Sequence, residues 1–139
     1  MEEKIFDIRE RSFWFGVEIV KLVATLSKNT AGFSIGGQII RSGTSIGANI
    51  EEAQNASTKK EFIHTMTISL REARETDFWL RIMVESNFVE RKKVDNLIKE
   101  NKEIIRILTA IIKNSKFKKL LKRLYFSSNC KFTIWARFF

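Results

Sequence analysis

The segment from residue 33 to residue 85 repeats apolar and small side chains at alternating spacings of three and four, with one polar break. Such spacings place side chains on one face of an α-helix. The whole chain contains no proline, the residue that most strongly interrupts a helix. The segment therefore predicts two long helices, residues 33–54 and 59–85, joined by a short turn. The repeated positions of the second helix are Phe62, Met66, Ser69, Ala73, Thr76, Leu80 and Met83.

The first helix of this pair contains four glycines, Gly36, Gly37, Gly43 and Gly47. Each glycine costs a helix about 1 kcal/mol relative to alanine. We therefore expect tertiary or subunit packing to offset that cost, since a peptide of this composition would have little helix alone. Its apolar stripe is predicted at Ile35, Ile39, Ile46, Ile50 and Ala53. At the start of the second helix, Thr58 and Glu61 have the spacing of a capping box.

Two further helices are predicted on either side of this pair. One covers Ile5 to Ser27 and ends in a turn at residues 29–32, where Gly32 can adopt a left-handed conformation. The other covers Glu90 to Asn114 after a short connection at residues 86–89. The predicted apolar face of the earlier helix consists of Phe13, Val17, Val20 and Ala24, with Trp14 and Leu22 at its margin. This helix is more apolar than a simple surface helix, so a second face is also a candidate for burial. The predicted apolar face of the later helix consists of Val94, Leu97, Ile98, Ile104, Ile105, Leu108, Ile111 and Ile112.

Short connections between long amphipathic helices imply antiparallel neighbours. The predicted fold class is therefore all-α, an up-down-up-down antiparallel four-helix bundle. A length of 139 residues suits one such domain. We assign residues 1–114 to the bundle and residues 115–139 to a basic, aromatic C-terminal extension.

The net charge of +9 is concentrated at the C-terminal end. The last acidic residue is Glu103, so the nine basic residues after it account for the whole excess. The 25 basic residues less these nine leave 16, which balance the 16 acidic residues. A basic end of this kind suggests a polyanion or a membrane surface as the partner, or a solubilising tail. The candidate contacts to nucleic-acid phosphates are Lys113, Lys116, Lys118, Lys119, Lys122 and Arg123.

The extension itself has two parts. Residues 116–125 are basic and amphipathic, and they either prolong the fourth helix or start a fifth. Residues 131–139 are too apolar for an ordinary disordered tail. They dock on the bundle or on a partner chain, form a poorly ordered end, or anchor at a membrane interface, and Phe132 or Trp135 is a candidate for stacking on bases.

Composition also indicates where the protein works. The N-terminus shows no signal peptide, and the apolar runs are far too short for a membrane span. The single cysteine, Cys130, cannot form an internal disulfide. We expect a cytoplasmic protein without a cofactor or a small-molecule substrate, for which a membrane is an improbable partner.

Two motifs invite an enzymatic interpretation, and both are weak. Residues 43–47 have the pattern of a hydrolase nucleophile elbow around Ser45, but that chemistry needs a strand-to-helix turn and a histidine base. Glu61 and His64 have the Glu-x-x-His spacing of di-iron bundles, which require a second such motif. His64 is the only histidine in the chain. We therefore expect no enzymatic activity and no metal site.

A polar row runs along the 33–54 helix beside the apolar stripe. Buried carboxylates in such a row would each cost several kcal/mol unless they were paired. We therefore predict a hydrogen-bonded polar network that fixes helix register or a subunit contact. Its members are Arg41, Ser45, Asn49, Glu52, Glu72 and Glu75. The alternative is a solvated face that contacts nothing.

The ordered set of motifs resembles the bacterial four-helix bundle proteins of the 23S rRNA intervening-sequence family. The motifs are Arg41-Ser42, residues 45–50 (Ser-Ile-Gly-Ala-Asn-Ile), Glu52-Ala53, Ser57-x-Lys59-x-Glu61-Phe62, residues 72–76 (Glu-Ala-Arg-Glu-Thr) and Trp79-Leu80. The resemblance extends over residues 5–112. It implies a bundle of four helices, a relation to the accessory protein of diversity-generating retroelements, and homopentameric assembly. The chain lacks the proline that the family often has near the end of helix one, and the extension resembles nothing in the family.

Two functions from different classes follow. One is an oligomeric accessory protein that binds RNA or DNA through the basic C-terminal region. The other is a structural or protein–protein interaction module that does not bind nucleic acid. An enzyme ranks behind both.

Overall fold

The computed structural model describes the backbone of residues 7–127 and the side chains of residues 7–117. It contains four helices, α1 (Ile8–Ala24), α2 (Thr30–Gln54), α3 (Lys59–Glu85) and α4 (Arg91–Ser127). Each helix packs against its neighbours in the order α1, α2, α3, α4, and the circuit closes with a smaller contact between α1 and α4. The described part of the chain contains no strand. The predicted all-α four-helix bundle is confirmed.

The connections have specific capping contacts. At the start of α3 the Glu61 amide donates to the Thr58 hydroxyl at 3.1 Å, and the Glu61 carboxylate accepts from the Ser57 amide at 2.9 Å. The α3 helix ends at Glu85, and two residues later Asn87 has a left-handed φ of 55°. The amides of Asn87 and Phe88 return to the carbonyls of the last turn of α3, as in a Schellman motif. Capping and the 86–89 connection therefore follow the prediction.

The start of α2 corrects the prediction of a left-handed turn at Gly32. The helix begins at Thr30, with Asn29 as its N-cap accepting from the Gly32 amide at 2.8 Å. Gly32 lies inside the first turn of the helix, and none of the described glycines has a positive φ. Glycine is needed there for space, because a Cβ at this position would overlap the Ser27 carbonyl.

The core lies between the facing stripes of the four helices. The predicted stripes of α2, α3 and α4 are confirmed, with Ile35, Phe62, Ile105 and Ile111 half-buried at the margins. The buried apolar residues of these three helices are Ile39, Ile46, Ile50, Ala53, Met66, Leu70, Ala73, Leu80, Met83, Val94, Leu97, Ile98, Ile104, Leu108 and Ile112.

The predicted apolar face of α1 is wrong. Phe13, Val20 and Ala24 are exposed and Val17 is half-buried, whereas the buried stripe is Ser12, Phe15, Ile19 and Leu22. Both stripes are compatible with helical spacing because apolar residues occur all round this helix. The helix is also shorter than predicted: it begins at Ile8 and ends at Ala24, and residues 1–6 lie outside the described chain.

Two glycines of α2 explain which face of α1 turns inward. A Cβ at Gly43 would lie 2.9 Å from side-chain carbons of Ile19, and one at Gly47 would lie 3.3 Å from the Ser12 carbonyl oxygen. Because Gly43 and Gly47 have no side chain, Ser12 and Ile19 of α1 pack directly against the backbone of α2. Packing compensates for the poor helix propensity of these two glycines.

The fourth helix extends past the predicted bundle boundary at Asn114. It is continuous to Ser127, so residues 116–125 prolong it and do not start a fifth helix. It has 37 residues against 27 in the antiparallel neighbour α3. At 1.5 Å per residue the last ten residues extend about 15 Å beyond the start of α3.

Candidate functional site

The candidate phosphate contacts lie on the last part of α4. Lys113 and Lys116 are exposed, and neither forms an ion pair with any described residue. The backbone of Lys118, Lys119, Lys122 and Arg123 continues the same helix. The side chains of those four lie outside the described residues.

Ion pairs join several helices of the bundle, although most of its described basic side chains form no such pair. The Arg9 guanidinium donates to both oxygens of Glu51 at 3.1 and 3.0 Å, which joins α1 to α2. Arg11 pairs with Glu100 and joins α1 to α4. The other pairs are Lys21–Glu18, Arg41–Glu72, Arg41–Glu75, Arg81–Asp77, Arg91–Asp95 and Arg106–Glu103. The acidic partners in these pairs all lie at or before Glu103, after which the chain has no acidic residue.

Part of the predicted polar network is assembled between α2 and α3. Arg41 donates to Glu72 at 3.2 Å and also pairs with Glu75. The Trp79 indole N–H donates to the same Glu75 oxygen at 3.4 Å. The hydrogen bond from Arg41 lowers the pKa of Glu75, against the opposing effect of burial, and the same contact raises the pKa of Arg41.

The remaining members are not brought into that cluster. The Asn49 amide donates to the Ser45 carbonyl oxygen at 2.7 Å, which is a contact within α2. Glu52 is exposed, and its side chain forms no hydrogen bond or ion pair within the described chain. The network is therefore an ion-pair cluster of Arg41, Glu72 and Glu75, with Ser45 and Asn49 apart from it.

Three buried polar contacts across helices were not among the predicted network. Thr76 donates to the Ser42 hydroxyl oxygen at 3.0 Å, and Ser69 donates to the Ile46 carbonyl at 2.8 Å, both between α3 and α2. Asn101 of α4 donates to the Ala73 carbonyl of α3 at 2.9 Å. The sequence did contain a signal for Asn101, because it occupies the one polar gap in the apolar period of α4.

The motifs with an enzymatic interpretation have ordinary structural surroundings. Ser45 lies in the middle of α2 with helix on both sides, so the strand-to-helix turn of a nucleophile elbow is absent there. His64 is exposed on α3, and Glu61 caps that helix. Among the described residues no three His, Cys, Asp or Glu side chains are grouped as metal ligands. No described helix is long and apolar enough to cross a bilayer.

Two surface depressions flank α1. A cleft of about 610 Å³ separates α1 from α4, where Arg11 and Glu100 face each other beside Trp14. A groove of about 350 Å³ runs between α1 and α2, and we call it the α1–α2 groove. Its lining residues are Arg9, Ser12, Phe13, Gly16, Val17, Val20, Thr44, Gly47, Ala48 and Glu51. Both depressions are open to solvent.

The match to a known family is decisive for classification. A family model described as "23S rRNA-intervening sequence protein" matches residues 4–110. The chain belongs to this family. The match to the 23S rRNA-intervening sequence family covers most of the bundle. It confirms the family that the motifs at residues 41–80 predicted. The family match ends before Lys113, so all six candidate phosphate contacts lie outside it.

A solved structure supports the same classification. It is a protein of unknown function from the S23 ribosomal protein family of Bacteroides thetaiotaomicron VPI-5482. The two chains are 37% identical, with a TM-score of 0.73, over 77% of this chain and 99% of that one. No curated protein matches the chain.

Proposed function

We propose that this member of the 23S rRNA-intervening sequence family is a non-enzymatic, cytoplasmic, oligomeric accessory protein that binds RNA or DNA through the C-terminal part of α4. One observation carries the proposal. Lys113 and Lys116 are exposed and form no ion pair with any described residue, and they begin a run of basic positions on α4 that contains no acidic residue. Phosphate neutralisation by such a run supplies sequence-independent affinity.

The proposal includes a number of subunits and a relation to a second group of proteins. The resemblance of the motifs implies a homopentamer related to the accessory protein of diversity-generating retroelements. Five copies would present five basic segments to one polyanion, and the resulting avidity exceeds the affinity of one segment.

The test is fluorescence anisotropy with a labelled structured RNA at several salt concentrations. We expect the logarithm of the affinity to fall steeply with the logarithm of salt, by about 0.9 for each neutralised duplex phosphate. A variant with Lys116, Lys119, Lys122 and Arg123 changed to Gln should lose most of its affinity and reduce that slope by about 3 to 4.

A control variant has the same total change in charge, made at four lysines elsewhere in the bundle. Lys59, Lys60, Lys92 and Lys93 are all exposed, and their replacement by Gln should leave affinity and slope close to those of the wild type. Equal losses in the two variants would show that only net charge matters. The absence of binding at low salt would refute the proposal.

A protein–protein interaction module is the second candidate, and the exposed apolar face of α1 favours it. Phe13, Trp14 and Val20 are exposed on a helix whose opposite face is fully packed. Contiguous exposed apolar surface of this kind marks interaction sites. This function predicts a defined oligomer whose mass, measured by native mass spectrometry, does not change when RNA is added.

A further inference from the structure

Ion pairing divides the bundle into two unlike halves. In α1 and α2 every basic side chain forms an ion pair, namely Arg9, Arg11, Lys21 and Arg41. In α3 and α4 most of the described basic side chains form no ion pair with any described residue. Four of these are exposed in the middle of the bundle, and we call them the central basic face: Arg71 and Arg74 on α3, and Lys99 and Lys102 on α4.

A buried hydrogen bond places the four side chains of the central basic face at one level of the bundle. The Asn101 amide of α4 donates to the Ala73 carbonyl of α3 at 2.9 Å, and both residues are fully buried. Each residue of the face comes either one after or two before one of these two in the sequence. At 1.5 Å per residue, their Cα atoms lie within about 3 Å of that level along the helix axes.

The side of the bundle on which the face lies follows from the residues just before the buried pair. Glu72 and Glu100 precede Ala73 and Asn101, and their arginine partners belong to α2 and α1. Two residues later, and about 200° further round each helix, the chain reaches the opposite flank, away from α1 and α2. Those positions belong to the face, and its other two residues lie only about 60° from them, because three residues turn by about 300°. The central basic face therefore covers the outer seam between α3 and α4.

The acidic residues of α3 and α4 leave the central basic face without counter-charges. Most of them pair with arginines outside the face, and these are Glu72, Glu75, Asp77, Asp95, Glu100 and Glu103. The other two, Glu61 and Glu85, lie in the first and last turns of α3, about 15 Å or more along the helix from the face. Like charges held close together repel each other, and a bound polyanion removes that repulsion.

The face continues towards the basic end of α4. Lys113 and Lys116 are exposed further along the helix, and they lie within about 100° of Lys99 and Lys102 round its axis. The row from Lys99 to Lys116 is about 26 Å long, which is the length of seven or eight base pairs of a duplex at about 3.4 Å each. Its second row, on α3, is about 8–10 Å away. A strip this narrow matches a phosphate backbone, whereas a membrane surface is wide in both directions.

We propose that the central basic face is a second contact for nucleic acid, along which the phosphate backbone held by the end of α4 continues over the α3–α4 seam. The guanidinium groups of Arg71 and Arg74 suit this role, because a planar guanidinium donates two parallel hydrogen bonds to one phosphate. The face lies within the residues that the family model matches, whereas Lys113 and Lys116 lie after them. The bundle itself thus contributes to binding, in addition to its extension.

This inference rests on the proposed binding of nucleic acid, and it requires no particular number of subunits. The two basic segments belong to different parts of the chain, so substitutions test them separately. A failure at the face is therefore distinguishable from a failure of the proposed function.

The first experiment compares full-length variants by fluorescence anisotropy with the same labelled structured RNA. The face variant has all four residues of the central basic face changed to Gln. It should bind about tenfold more weakly or worse, with a salt slope lower by about 3 to 4, since four phosphate contacts are lost. The control is the variant with Lys59, Lys60, Lys92 and Lys93 changed to Gln, which loses the same charge in the first turns of α3 and α4 and should bind like the wild type. Circular dichroism checks that both variants retain their helices.

The second experiment locates the contact in the unchanged protein. Acetic anhydride modifies exposed lysines, and mass spectrometry measures the modification of each lysine with and without saturating RNA. Lys99 and Lys102 should lose most of their reactivity when the RNA is bound. Lys92 and Lys93, which are exposed nearer the start of the same helix, should react equally in both samples.

Four results would overturn the inference. A wild type that does not bind the RNA at low salt would remove it together with the proposed function. Full RNA affinity in the face variant, with affinity lost in the variant of the α4 end, would remove the inference alone, and binding of phosphatidylglycerol vesicles that the face variant loses would then assign the face to a membrane. Equal losses in the face variant and its control would refute it. So would unchanged reactivity of Lys99 and Lys102 in the presence of RNA.

Discussion

Gly37 and Gly43 lie six residues apart on α2, yet their surroundings differ completely. A Cβ at Gly43 would meet Ile19 at 2.9 Å, whereas one at Gly37 would have nothing within 4 Å. Both glycines destabilise the helix to the same extent through their low helix propensity. Only at Gly43 does close packing by a neighbouring helix offset this destabilisation.

We therefore expect alanine to have opposite effects at these two positions. Gly43→Ala should lower the free energy of unfolding by about 1–3 kcal/mol through overpacking against Ile19. Gly37→Ala should raise it by up to about 1 kcal/mol through helix propensity. Urea unfolding followed by circular dichroism measures both. Stabilisation by both substitutions would show that α1 does not approach α2 as closely as described.

Asn101 is the other residue whose surroundings allow a quantitative test. It is fully buried, its amide nitrogen donates to the Ala73 carbonyl, and its Oδ1 accepts no hydrogen bond from any described residue. Asn101→Ala removes the bond and leaves a cavity, so it should cost about 1–3 kcal/mol. Asn101→Leu removes the unsatisfied oxygen at similar volume and should be at least as stable as the wild type. Thermal unfolding of the two variants distinguishes these effects, and a Leu variant less stable than the Ala variant would contradict the account.

At the scale of the element, the contact between α2 and α3 combines small buried hydroxyls with an exposed ion-pair cluster. Ser42 and Thr76 meet in the interior, while Arg41 reaches Glu72 and Glu75 at the surface. The Arg41 side chain is 51% exposed, so water and salt screen its pairing. The buried contacts fix the distance between the two helices, and the ion-pair cluster adds a contribution to the stability of the fold that depends on pH.

The contribution of the Arg41–Glu75 pair to stability depends on pH with a definite sign. The folded protein lowers the pKa of Glu75, so the pairing stabilises the fold above the ordinary glutamate pKa of about 4.3. That stabilisation is lost as the pH falls through the lowered value. Glu75→Gln should therefore lower the melting temperature at pH 7, and the difference from the wild type should vanish in strong acid and shrink in high salt.

Glu52→Gln is the control for this measurement. Glu52 is exposed on the neighbouring helix and has no partner within the described chain. Its replacement should leave the melting temperature unchanged at every pH. If the two variants behaved alike, the Arg41 cluster would contribute nothing to stability.

At the scale of the whole molecule, α4 continues well beyond the last core residue that the structure describes. Among the residues whose side chains the structure describes, the last buried core residue is Ile112, and the family match ends at residue 110. The folding unit and the basic segment are therefore joined by one continuous helix, although they depend on different parts of the chain. We therefore expect that any function of the extension can be lost without loss of the bundle.

A chain that ends at Phe117 should consequently fold. We expect its circular dichroism spectrum to retain the helices of the bundle. The full-length chain should melt at a temperature that rises with concentration, as for any oligomer of folded subunits. A shortened chain without helical structure would show that the extension is part of the fold.

The sequence by itself determined the four helices, the core stripes of α2, α3 and α4, and the capping box at Thr58, because each is a local pattern of period or spacing. It also determined the family, through motifs between Arg41 and Leu80. Only the tertiary structure decided which face of α1 is buried, since that helix has two apolar stripes and the glycines of α2 select one. The partners of Arg41 and the pairing of Asn101 with Ala73 likewise depend on how distant helices meet, and no local pattern contains that information.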